Sequence, residues 1–214
     1  RMRGTLLLIL CCSLASALIG FDTTTPISPS AFACLRSSGY TFFIGQVGRE
    51  DGSIDNDGIK TIKDARSGGL IDVDASLLPC TQPGCDSPVD QIDKVVNALD
   101  ASEAAFGTLW IGVQMDIWPT DENTNRQLIL DLVKQCKARG VKAGIYSDSW
   151  AWENVVGAAW KDVATLPLWW ASNNGAANFN NFKPFGGWSA PTIHQYSLNV
   201  KGACSIGEVN MNWK

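Results

Sequence analysis

Basic charge is in short supply: 17 Lys and Arg stand against 21 Asp and Glu, giving a formal net charge of −4 with no basic cluster to offset it. A nucleic acid or another polyanion held by counter-charge is therefore excluded as the main partner. Histidine occurs once, at position 194, which leaves no His pair for a metal and no evident partner for a Ser-His relay. The one long apolar run, Thr5 to Leu14, is too short to span a bilayer. Charged residues make up only 18% of the chain while hydrophobic ones reach 45%, which excludes a disordered tail. The 214 residues suffice for one domain with a sizeable core, and 20 glycines with 9 prolines fit many tight connections.

The amino-terminal end reads as a leader. Arg1-Met2-Arg3 is basic, the apolar run follows, and Ala15-Ser16-Ala17 supplies the small residues that a signal peptidase reads. Cleavage is expected after Ala17, with Gly20 as the fallback, so residues 1–17 form a signal peptide and 18–214 the mature domain. The product is expected to be secreted, monomeric and free of the membrane, with a net charge of about −6 once Arg1 and Arg3 are gone. Five cysteines remain, an odd set for an oxidising compartment. Cys80 and Cys85 flank the turn-like Thr-Gln-Pro-Gly and are expected to pair; Cys34 is expected to pair with Cys204, leaving Cys136 over. No metal site or cofactor is expected, because the spacings fit no zinc pattern.

Apolar strand-like runs alternate with amphipathic stretches. Strands are predicted at 18–22, 41–47, 70–78, 108–114, 141–146, 166–171, 192–196 and 208–212, and helices at 29–38, 55–67, 88–105 and 122–139. Past about residue 157 the helical period fades into connections rich in Gly, Asn and Trp. An α/β fold follows: a modified βα barrel of eight strands with few helices in its last third. In such a barrel, ligands meet the residues that close each strand. All nine tryptophans lie between Trp110 and Trp213, and Trp118, Trp150, Trp169 and Trp170 fall near these ends, beside Asn, Gln and Asp side chains. Aromatic faces stacked on sugar rings, with amides bonding the hydroxyls, account for that mixture; core filling is the competing account for each Trp.

Several segments together resemble one family. They are Gly20-Phe21-Asp22, the 42–49 strand Phe-Phe-Ile-Gly-Gln-Val-Gly-Arg, Asp72-Val73-Asp74 through Pro79-Cys80, Leu109-Trp110-Ile111, Thr124-Asn125-Arg126, Gly144-Ile145-Tyr146-Ser147, Pro167-Leu168-Trp169-Trp170-Ala171, Gly186-Gly187-Trp188 and His194-Gln195-Tyr196. This set resembles the glycoside hydrolase family 25 lysozymes, in particular their secreted nematode and amoeba branch. The resemblance implies an eight-stranded modified barrel and cleavage of the β-1,4 bond between N-acetylmuramic acid and N-acetylglucosamine in peptidoglycan. It also implies a role in defence or in the digestion of bacteria.

At the catalytic positions the chain departs from the family. The family's fourth strand ends in Asp-x-Glu, whose Glu protonates the leaving oxygen; the matching stretch here runs Trp110-Ile111-Gly112-Val113-Gln114. The family's last strand carries an Asp, and the match here is Asn210. Of four implied cleft carboxylates, Asp22 alone stands. An amide keeps the shape and hydrogen bonding of the acid but delivers no proton, a loss of roughly 10²- to 10⁴-fold in rate. Two acids are candidates to take over. Asp116 shares the face of 112 and 114 if the strand persists, and otherwise reads as a loop or helix-start charge; Asp74 closes the third strand and reads equally as a structural acid. Asp22 and Asp116 are the candidate catalytic residues. Asp74, Tyr146, Trp169 and Gln195 are the candidate substrate-binding residues, with bacterial peptidoglycan or a related amino-sugar glycan as partner. Three functions stay open: a weak or relocated-acid lysozyme, a glycan-binding relative without catalysis, and a barrel serving as protein inhibitor or structural surface.

Overall fold

The computed structural model describes residues 17–115 and 118–214. The predicted leader, up to residue 16, and Asp116 therefore lie outside the described residues. Eight strands close a barrel in sequential order: β1 (Ile19–Thr23), β2 (Tyr40–Gly48), β3 (Asp72–Leu77), β4 (Thr108–Gly112), β5 (Lys142–Ser147), β6 (Leu168–Ala171), β7 (Ile193–Lys201) and β8 (Glu208–Trp213). Strands β1 to β7 run parallel, whereas β8 is antiparallel to both β7 and β1. Only 202–207 separate β7 from β8, too short a link for a parallel crossover, so the last strand returns as a hairpin.

Among the described residues, five α-helices pack outside: α1 (Pro29–Ser37), α2 (Asn56–Ser67), α3 (Pro88–Ala101), α4 (Glu122–Ala138) and α5 (Ser149–Val156). Each begins where a Ser or Asp side chain accepts an otherwise unpaired backbone N–H: Ser28, Asp55, Ser87, Asp121 and Asp148. A cap of this kind is worth about 1 kcal/mol. The helix α5 is an addition to the four predicted, and α3 stops at Ala101 instead of 105.

Strand alternation splits the core in two. Outward residues such as Phe43, Val73, Leu109, Ile111 and Leu168 meet the helices, whereas Phe42, Ile44, Trp110, Trp169 and Ile193 fill the barrel. The interior needs small neighbours for its large rings: a Cβ at Gly144 would lie 2.5 Å from the Trp110 indole. No helix separates β6 from β7. An aromatic pad covers that side instead, with Trp188 edge-on to Trp152 at 4.8 Å, Trp160 stacked on Trp152 at 5.4 Å, and Phe182 edge-on to Trp170 at 5.2 Å. Much of the tryptophan skew is thereby core filling.

Both expected disulfides form, Cys34–Cys204 and Cys80–Cys85, and Cys136 is free and buried on α4. The first joins α1 to the β7–β8 connection.

Candidate functional site

The upper ends of the parallel strands open into a cleft of about 510 Å³. Its floor is aromatic: the Tyr146 ring lies 4.2 Å from that of Trp169, which meets Trp110 edge-on at 6.0 Å. Its walls are amides and hydroxyls, among them Gln46, Gln114, Gln195, Asn199 and Asn210, Ser76 and Thr23 to Thr25.

Three hydrogen-bond relays converge on Asp22 from this wall. The Tyr146 hydroxyl donates to Gln195 Oε1 at 2.7 Å, and Gln195 Nε2 donates to Asp22 Oδ1 at 2.8 Å. Trp169 Nε1 donates to Asn212 Oδ1 at 2.8 Å, and Asn212 Nδ2 donates to the same Asp22 oxygen at 2.7 Å. The Asn199 backbone N–H donates to Asn210 Oδ1 at 3.1 Å, and Asn210 Nδ2 donates to Asp22 Oδ2 at 2.8 Å. Each amide accepts with its oxygen and gives with its nitrogen, so every amide orientation is fixed by its neighbours. Burial pushes the Asp22 carboxyl above its ordinary range, and the three amide donors pull it back only in part. Burial likewise raises the Tyr146 hydroxyl, with the Asp22 charge adding to the effect, so Tyr146 is a neutral donor.

At the end of β4, Gly112 and Gln114 both line the cleft, and the Gln114 amide lies beside the Tyr146 hydroxyl. Among the described residues lining the cleft, the carboxylates are Asp22 and Glu208. The strand ends at Gly112, shorter than the predicted 108–114, and Val113 is held through its N–H to the Tyr146 carbonyl and its carbonyl to the Ser147 hydroxyl. Regular strand alternation ends at Gly112, and Asp116 lies outside the described residues.

Asp74 is not among the cleft-lining residues. Its Oδ1 accepts from the Thr108 backbone N–H at 2.8 Å and its Oδ2 from Trp110 Nε1 at 2.9 Å, which makes it the support beneath the Trp110 ring. It was expected among the substrate-binding residues, and its place is under Trp110, outside the cleft lining. Tyr146, Trp169 and Gln195 do line the cleft. Of the other tryptophans near the strand ends, Trp118 and Trp170 are buried and Trp150 is exposed, and none lines it. His194 is buried against Trp170, with ring nitrogens 2.7 Å from the Asn178 carbonyl and 2.9 Å from that of Ser172.

Sequence reasoning passed over Asn212, Asn199 and Trp110 as site residues. Period-two alternation would have found two of them, since Asn212 shares a strand face with Asn210, and Trp110 with Gly112. Asn199 carried no such signal, because it sits in the left-handed region (φ 52°) of an irregular hairpin.

The family profile described as Lysozyme-like protein 1 matches residues 13–196. "Lysozyme-like protein 5" of Caenorhabditis elegans is 36% identical, over 97% of this chain and 96% of the relative. "Probable GH family 25 lysozyme 2" of Dictyostelium discoideum is 31% identical, over 92% and 91%. Among solved structures, a muramidase from Acremonium alcalophilum superimposes with a TM-score of 0.69 over 92% of both chains at 19% identity, which shows a shared fold.

Proposed function

Because the chain belongs to the lysozyme-like proteins of glycoside hydrolase family 25, we propose that it is a secreted, monomeric protein that binds the amino-sugar glycan of bacterial peptidoglycan, with weak or no muramidase activity. The carrying observation is the composition of the cleft. An aromatic floor and an amide wall suited to sugar rings and hydroxyls stand intact, while the end of β4, where the family's proton donor is expected, presents Gly112 and Gln114. Cleaving a glycosidic bond needs a proton delivered to a poor leaving group, and an amide has none to give at working pH. Asp22 does not replace it: both its oxygens already accept amide N–H bonds. Such a protein serves bacterial defence or digestion by engaging the wall.

The test is paired. The full mature chain is expected to co-sediment with purified peptidoglycan and to clear a wall suspension at a rate near the detection limit between about pH 4 and 7. Gln114→Glu is expected to raise clearance. This variant is cleaner than Gly112→Asp, since a Cβ at 112 would come 2.5 Å from Leu78 Cδ2 and force that side chain to move. Clearance at ordinary lysozyme rates by the unaltered chain would overturn the non-catalytic reading, and Asp116→Asn then asks whether Asp116 is the acid.

A further inference from the structure

The cleft carries charge of one sign only. Asp22 lies at its floor and Glu208 at its rim, and no lysine, arginine or histidine is found among the described residues that line it. The rest of the lining is neutral, made of aromatic faces, hydroxyls and amides whose orientations the Asp22 relays fix. Amide and hydroxyl groups suit sugar hydroxyls and acetamido groups equally well, whether or not the sugar bears a further substituent. The chain of alternating sugars in peptidoglycan differs from a plain N-acetylglucosamine chain by a lactyl ether on every second ring, and a free lactyl group is a carboxylate. A carboxylate seated in this cleft would meet two like charges and no counter-ion, an arrangement that costs more as water is displaced.

We propose that the cleft selects among amino-sugar chains by charge, taking uncharged β-1,4-linked N-acetylglucosamine chains and turning away those with free lactyl carboxylates. This rests on the reading of the cleft as a glycan site and narrows it. Muramyl sugars whose lactyl group is capped as an amide, as it is where a stem peptide is attached, remain acceptable. Stripped muramyl chains are the poor ligands.

Calorimetric titration of the full mature chain with three probes tests this: tetra-N-acetylchitotetraose, the N-acetylglucosamine–N-acetylmuramic acid tetrasaccharide with free carboxyls, and the same tetrasaccharide as its methylamide. The free acid is expected to bind on the order of tenfold more weakly than either neutral probe at neutral pH and low ionic strength. The gap is expected to shrink as salt screens the charges. Binding of the free acid as tight as that of chitotetraose at low salt overturns charge selection. So does a weak methylamide, which would trace the discrimination to bulk. Failure of all three probes to bind a correctly folded chain overturns the glycan reading of the cleft itself.

Discussion

Asn210 gives its side-chain N–H to Asp22, Nδ2 to Oδ2 at 2.8 Å, while its own oxygen is held by the backbone N–H of Asn199. The pair is an amide–carboxylate contact where the family resemblance implies two carboxylates, and Asp22 is shielded by neutral donors alone.

Asn210→Asp would place two carboxylates at that separation, and they would have to share one proton. An acid held protonated in the folded chain contributes stability at low pH that is lost as pH rises through its folded value. Burial already holds the Asp22 carboxyl above the ordinary carboxylate range. The variant is therefore expected to melt close to the parent near pH 4 and to fall below it by about 1–3 kcal/mol at pH 7. Thermal melts at the two pH values check this, and equal loss at both would show that the pair does not couple.

Tyr146→Phe removes the donor to Gln195 Oε1 and leaves the rest of that relay in place. A cost of about 1 kcal/mol in stability is expected, with glycan affinity down several-fold. Trp169→Ala is a poor probe of binding by comparison. Its indole is only 2% exposed, so truncation is expected to cost about 3–5 kcal/mol of core packing before any sugar is considered. Melting and titration of both variants separate the two roles.

The two disulfides differ in reach. Cys34–Cys204 spans 170 residues and Cys80–Cys85 spans 5. Replacing the long-range pair by serines is expected to cost up to about 5 kcal/mol, against about 2 kcal/mol for the local one. The long-range pair also anchors the hairpin that brings Leu198, Asn199 and Asn210 to the cleft, so its loss is expected to weaken glycan binding. Equal melting shifts from the two replacements would contradict this ranking.

Cys136 is fully buried, and burial pushes its thiol up to about 12. At pH 8 an alkylating reagent is expected to leave the native mature chain, residues 18–214, unmodified and to add one label to it after unfolding without reductant. Mass spectrometry reads the difference, and rapid native labelling would mean that α4 opens locally.

The barrel was legible because its signals are local. Apolar runs bounded by Gly, Asp or Ser marked all eight strands, and Ser28, Asp55, Ser87 and Asp121 marked four helix starts. The fifth helix had the same marker, Asp148, with Gly157 as its stop, but Trp150 and Trp152 beside Val155 and Val156 blurred its polar face. The reversed direction of β8 was hidden because strand direction is not written in side-chain periodicity. It follows from link length, which looked longer while β7 was taken to end at Tyr196 instead of Lys201. Within the site, Tyr146, Gln195 and Asn210 were legible as strand-end residues. Asp74 misled for the same reason: its nearness to a strand end said nothing of which way the Trp110 indole would turn to meet it.

The antiparallel β8 has a consequence for biosynthesis. Since it is the seam between β7 and β1, the barrel stays an open sheet with two bare edges until β8 itself has left the ribosome. Asn210 and Asn212, two of the three amides that donate to Asp22, and Asn199, whose backbone N–H holds the Asn210 oxygen, arrive with that last hairpin. A nascent chain cut short before Glu208 would thus lack both the stave that shuts the barrel and two of the three amides that hold Asp22, so ring closure and assembly of the cleft are one event.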